Sequence, residues 1–378
     1  MSFRRTISGR KVRQVLIATV YISLLAVLYF IQPACSPIRK SGLPIDRPPI
    51  PITSIAEVLN PNPPKNPVRL VFVHHGVGDH WLADESGDLG VTLLDNNYFV
   101  SDTDFGWIPQ DFDVGIETIG DHTDIGQWYS WFAGPNKTKY LAALFSEDNT
   151  HSYIPYSRMP YNPDPISENE VIMFKSDFDN SALAGKPDDP PTPTTGPNPL
   201  RSEDSSSENL TVANAKGIYE DLLVFFETRQ DKLFVVITAP PLVEAATTPG
   251  QAKNARALNR WLTEEWLRDY PYSNVAVFDF YNVLTSNGGS TQVNDLGMDS
   301  GNHHRYSDGT IQYMTRAGSN FSAYGTSDKD SMPTDAGLRK ASDEYVAVLN
   351  TAYHHWKRSR QLLVPVSGGS ITGGSRRP

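Results

Sequence analysis

Five short apolar runs recur along this chain, and they constrain its fold more than any other feature. They read VRLVFV (68–73), NYFVSD (97–102), VIMFKS (171–176), KLFVVITAPP (232–241) and a stretch within NVAVFDFYNVL (274–284). In most of them apolar residues follow one another without a polar alternation. That pattern suits strands covered on both faces, as in a parallel sheet. Helical patterns lie between the later runs. In 211–230, Ile218, Leu222, Phe225 and Phe226 share one face and Thr211 stands where an N-cap is expected. In 251–269, Ala255, Leu258, Leu262 and Trp266 recur at helical spacing, and 335–358 starts at Asp335 and ends in Lys/Arg, as the helix dipole favours. Strand and helix in alternation predict an α/β fold: a mainly parallel five-stranded sheet in three α/β/α layers, with long loops. Ligands of such sheets bind beyond the carboxyl ends of the strands. The loops after Val73, Asp102, Ser176, Thr238 and Phe280 are therefore where function is expected. The stretch 180–207, rich in Pro, Ser and Asp, is expected to form no core unit.

What precedes the first run is of another kind. Residues 15–32 (VLIATVYISLLAVLYFIQ) carry no charge, and as a helix they would span about 27 Å, close to a bilayer core. The basic stretch 1–14, with Arg4, Arg5, Arg10, Lys11 and Arg13, is expected to stay cytoplasmic, which leaves the body extracytoplasmic. The segment reads as a signal-anchor; cleavage, or lipidation at Cys35 after Ala34, is the competing reading, with Gln32 departing from the lipobox pattern. Residues 33–67 are a Pro-rich spacer, 68–360 the folded domain and 361–378 a tail. The formal charge of the chain is −10, and residues 1–40 hold seven Lys/Arg and no Asp/Glu, so the remainder carries −17. An acidic body disfavours nucleic acid, whose phosphates require cations. With Cys35 the only cysteine, no intramolecular disulfide can form, and the oligomeric state is left open.

The first strand ends in VFVHHGVGDHWL (71–82), the densest collection of reactive side chains in the chain. Metal binding would draw on His74, His75, Asp79, His80, His122, His303 and His304, with His75, His122 and His304 as one set that could converge from separate loops. Adjacent histidines point to opposite sides of a strand, and neither H-x-H nor H-E-x-x-H occurs. The expectation is therefore no metal and no cofactor, with the histidines bonded to loop backbone around a pocket. Asp79 and His80 read as exposed residues at a helix start, Ser176 as a turn cap, and His354 and His355 as surface residues near a helix end. Trp107, Trp128, Tyr129, Trp131 and Phe132 read as core rings, with stacking on a sugar face as the alternative.

Several phrases together, LVFVHH, DNNYFVSD, DIGQW, IMFKS, TVANAKGIY, FVVITAPP, VFDFYNVLT and GNHHR, resemble the SGNH/GDSL hydrolase superfamily. Within it they are similar to an extracytoplasmic bacterial group whose first strand ends in HHS-x-G. The resemblance spans roughly residues 68–349. It implies a flavodoxin-like three-layer fold and hydrolysis of esters, acylated carbohydrates among them. It also implies a serine nucleophile after strand one, an oxyanion hole from a glycine after strand two and an asparagine after strand three, and a histidine before the last helix. Carried onto this chain, the nucleophile position is Gly76. The oxyanion glycine is Gly106, with Gly126 as its rival, and the asparagine is Asn180. The histidine position is Met332, before Pro333, with Lys329 three residues earlier and Asp328 and Asp330 flanking it. His74, His75 and His304 would line the pocket. Serine and histidine are both missing, so the resemblance implies a catalytically degenerate member that still takes a carbohydrate or acyl ester ligand. An active hydrolase that uses displaced residues or a metal is the alternative.

Overall fold

A computed structural model of the chain describes residues 60–109, 118–285 and 331–363. The expected anchor 15–32, Cys35, most of the spacer, His303, His304, Asp328, Lys329, Asp330 and the tail from 364 lie outside the described residues. Among those described, no helix is long and apolar enough to cross a membrane.

The sheet has five parallel strands: β1 (Val68–Val73), β2 (Tyr98–Thr103), β3 (Val171–Lys175), β4 (Leu233–Ile237) and β5 (Val275–Phe278), in the order β2-β1-β3-β4-β5. This is the flavodoxin-like order, with its switch point between β1 and β3. Central strands are buried along their whole length because successive side chains enter opposite apolar layers. Val71, Val73, Ile172, Phe174, Phe234 and Val236 enter one layer. Leu70, Phe72, Met173, Val235 and Ile237 enter the other.

The first layer is covered by α3 (Trp128–Phe132), α4 (Lys137–Ser146), α5 (Val212–Phe226) and α6 (Pro249–Glu264). The second is covered by α1 (Val77–Leu82), α2 (Leu89–Asp95), α7 (Phe280–Thr285) and α8 (Asp335–Leu363). The result is the three-layer α/β/α arrangement. Thr211 caps α5 by accepting the Asn214 N–H at 3.2 Å. Of the face expected on that helix, Ile218, Leu222 and Phe226 are buried and Phe225 packs half-buried.

Two expectations need correction. The fifth strand, expected within 274–284 with its loop after Phe280, ends at Phe278. Asp279 then turns the chain by accepting the Asn282 N–H at 3.1 Å, and the apolar residues beyond it form α7. The Pro-rich stretch 180–207 is not outside the core: Leu183 and Leu200 are buried in the first layer, and Ser202 N bonds Gly126 O at 2.9 Å.

Candidate functional site

The strand β1 delivers three residues to the carboxyl end of the sheet before α1 begins. His74 and His75 leave on opposite sides. His74 follows Phe72 into the second layer, where their rings lie 4.5 Å apart and His74 is fully buried. Gly78 makes room for it, since a Cβ there would stand 2.5 Å from His74 Cβ. His75 turns the other way. Its ring lies 4.6 Å from that of Phe105, Nδ1 meets the Thr123 hydroxyl, and Nε2 is 3.9 Å from Asp177 Oδ2. Burial holds the His75 pKa below its ordinary value.

Gly76 is the N-cap of α1 with φ 56° and ψ −105°, a conformation open to glycine and strained for side-chain-bearing residues. A Cβ on Gly76 would overlap Asp177 Oδ2. Asp177 comes from the turn after β3 and is fixed from several directions. Its Oδ2 accepts the Val77 N–H at 3.3 Å, its Oδ1 accepts the Phe178 N–H at 3.0 Å, and Lys175 Nζ stands 3.5 Å from Oδ1. Lys175 is itself buried, which lowers its pKa, and it also donates to Ser176 O at 3.1 Å. A carboxylate braced by a buried lysine thus fills the volume into which a residue-76 side chain would project.

The other positions of the expected machinery are committed elsewhere. Gly106, at φ 81°, donates its N–H to Asp121 Oδ1 at 2.7 Å. A Cβ on Gly126 would overlap Leu200 O, so this glycine serves close packing. Asn180 is buried and its amide is saturated: Oδ1 accepts the Ile125 N–H at 2.8 Å, while Nδ2 donates to Asp124 and, at 3.2 Å, to Asp177 O. Gly76 and Asn180 therefore meet on Asp177, at the ends of β1 and β3, and neither Gly106 nor Asn180 presents an unoccupied donor. Met332 packs half-buried against the second layer, and the preceding Ser331 Oγ accepts the Val243 N–H at 3.2 Å. Ser176 is buried and accepts from Trp128 Nε1 at 2.8 Å. Trp107, Trp128, Trp131 and Phe132 are all buried in the first layer, which is the core reading of those rings.

Asp79 corrects an expectation. It is not an exposed helix-start residue but buried, with Oδ1 accepting from the Ser152 hydroxyl at 2.7 Å and the Tyr153 N–H at 3.0 Å. Beside it lie Asp104 and His74, both fully buried, and Asp102, whose Oδ2 is 3.4 Å from His74 Nε2. Burial and the facing Asp79 carboxylate push Asp104 up to about 7. Burial also works against the Asp79 charge, but His74 and the Ser152 hydroxyl outweigh it and bring that carboxyl below its ordinary value. The sequence contained one sign of this group. Asp102 and Asp104 are two residues apart at a strand end, hence on one face, and register places Asp102 beside Phe72.

A cleft of about 580 Å³ opens away from Gly76, beside Trp107, Lys139, Ala142 and Glu147. Glu147 accepts from Trp107 Nε1 at 2.7 Å and lies 3.3 Å from His151 Nε2. Burial opposes its charge, yet the bonds from His151, the Asn149 N–H and Trp107 bring it down to about 2, and the same contact raises His151. The Glu147 contribution is complete above its unfolded value near 4.5 and lost as pH falls toward 2; that of His151 is complete below 6.5 and lost as pH rises through its folded pKa. With His151 partly exposed, the acid-side loss is about 2 kcal/mol. Urea denaturation at pH 5 and pH 3 checks this: Glu147→Gln should lose markedly less stability across that interval than the parent.

The site assembled from these segments thus has a carboxylate where a residue-76 side chain would stand, a partly exposed histidine, and an aromatic ring beside it. Phe105, whose ring lies against His75, is 44% exposed. Comparison of the chain with protein-family models, with curated proteins and with solved structures gives no match.

Proposed function

We propose that this chain is a member of the SGNH/GDSL hydrolase superfamily that has lost serine-ester hydrolysis and keeps the site as a carbohydrate-binding surface. Residues 15–32 would anchor it, with the domain on the extracytoplasmic side. The observation that carries the loss of hydrolysis is the overlap between a residue-76 Cβ and the Asp177 carboxylate. An acyl transfer needs a nucleophile and free oxyanion donors. Gly76 has no hydroxyl, and the Gly106 N–H and Asn180 amide already have partners.

Carbohydrate is favoured by what remains accessible. The exposed Phe105 ring, braced by His75, offers an apolar platform for the C–H face of a sugar. The partly exposed His75 imidazole against it, whose Nε2 stands 3.9 Å from Asp177 Oδ2, can bond a hydroxyl.

The test uses the full-length chain in detergent. A fluorophosphonate probe should leave it unlabelled, and acetylated xylan oligosaccharides should bind without losing acetate. Phe105→Ala should weaken that binding about tenfold, the value of one stacked ring. Labelling of a serine, or acetate release above the buffer rate, overturns the loss of hydrolysis. Absence of binding across acetylated and deacetylated oligosaccharides overturns the carbohydrate reading.

A further inference from the structure

The side chains of His74, Asp79 and Asp104 converge on the side of the sheet opposite His75, and the function proposed above leaves them unused. One ligating atom from each lies within 4.8 Å of the others. All three residues are buried, His74 and Asp104 completely. Both ring nitrogens of His74 and both carboxylate oxygens of Asp104 lack a well-directed hydrogen bond: His74 Nε2 has only Asp102 Oδ2 at 3.4 Å, and Asp104 only the facing Asp79 carboxyl and the Phe105 N–H. Buried polar atoms of native proteins are nearly always paired, so four in one place call for an explanation. Like charges sharpen it. Asp79 and Asp104 face one another with Asp102 close by, and among the described residues no lysine or arginine forms an ion pair with any of the three. Two facing carboxylates need either a shared proton or a cation between them.

We propose that His74, Asp79 and Asp104 bind a divalent transition-metal cation, of the zinc or manganese class. One imidazole nitrogen with two carboxylate oxygens is a donor set for such ions. Around an ion about 2.1 Å from each ligand, tetrahedral donors stand about 3.4 Å apart, so donors within 4.8 Å of one another close on it with side-chain shifts of about an ångström or less. The surroundings fit as well. Asp102 is fixed by the Tyr156 hydroxyl at 2.7 Å and the His151 N–H at 3.1 Å, and stands beside the His74 ring as an outer carboxylate that orients an imidazole ligand. Asp79 is aimed by Ser152 and Tyr153 through Oδ1 alone. Gly78 leaves the space the His74 ring occupies.

The cluster is closed to solvent, so the ion serves structure. It ties together the end of β1, the first turn of α1 and the end of β2. Asp104 directly precedes Phe105, so the ion also holds the loop that carries this exposed ring.

The experiment uses the full-length chain purified without a histidine tag, stripped with chelator and titrated with Zn²⁺ or Mn²⁺. One equivalent should bind, and the melting temperature should rise with metal. Asp104→Asn removes a facing charge without changing shape, so the stripped variant should fold. It should bind at least about tenfold more weakly and lose the metal-dependent rise. His74→Gln, read in the same titration, should behave alike, whereas His303→Gln/His304→Gln should titrate as the parent does. If the stripped parent neither binds an equivalent nor gains stability, the facing carboxylates share a proton and the proposal fails. It fails equally if Asp104→Asn keeps parental affinity.

Discussion

Gly76→Ala should destabilise the protein by about 3 kcal/mol, although it adds a single methyl group. Two separate costs contribute. The backbone at φ 56° and ψ −105° is strained for an L side chain, by about 1–2 kcal/mol. The added Cβ would also overlap Asp177 Oδ2, and relieving such an overlap in a packed site costs about 1–3 kcal/mol more. Gly106→Ala separates the two. Its φ is 81° and nothing lies within 4 Å of its would-be Cβ, so only the backbone cost of about 1 kcal/mol should appear. Urea denaturation of both variants gives the comparison. Equal losses at the two glycines would mean that the Asp177 carboxylate does not fill the space beside residue 76. Unequal losses carry a consequence for the serine question. Gly76→Ser with Met332→His should not regain esterase activity while Asp177 is present, because the hydroxyl has no room.

The sheet was legible in the sequence because its central strands are covered on both faces, so their residues had no reason to alternate. Within 274–284 the same rule finds the strand but not its end, because apolar residues continue past Phe278. One polar residue, Asp279, redirects the chain, and a strand and a helix that enter the same layer are equally apolar. The helices α1, α2 and α3 have five to seven residues, fewer than two turns, and leave no period to detect. At the site, Gly76 was locatable because the His74-His75 pair at the strand end and the following Gly78 fix the position. Asp177 and Lys175 were not. A lysine at the end of an apolar strand reads as solvated, and only the packing of the loops around β3 buries it. Asp79 was misread for a related reason. On α1 it stands at an exposed-looking helix start, but the segment 151–156 folds over it.

Asp177→Asn should be among the most damaging isosteric changes in the domain, at about 3 kcal/mol or more. The amide oxygen still accepts the Phe178 N–H, so the turn keeps its cap; what disappear are the charge facing Lys175 and the acceptor of the Val77 N–H. Lys175 is buried to 1% exposure, and an unpaired ammonium there costs several kcal/mol. Lys175→Met fills the same volume without a charge, leaving Asp177 with its hydrogen bonds from Val77 N and Phe178 N, so it should cost less. The double variant should be more stable than Asp177→Asn alone, since neither charge remains to be desolvated, and that sign reversal is the measurement of coupling. The pH dependence follows from the same cause. Burial lowers the Lys175 pKa in the folded state, so between its folded pKa and its unfolded value of 10.5 the unfolded chain binds the extra proton and stability rises with pH. Removing the Asp177 charge lowers the folded pKa further and widens that interval downward. The penalty of Asp177→Asn should therefore shrink from pH 7 to pH 9.5, while Lys175→Met/Asp177→Asn stays flat. A penalty independent of pH would mean that Lys175 is not held by Asp177, and the carboxylate would then be free to serve a ligand.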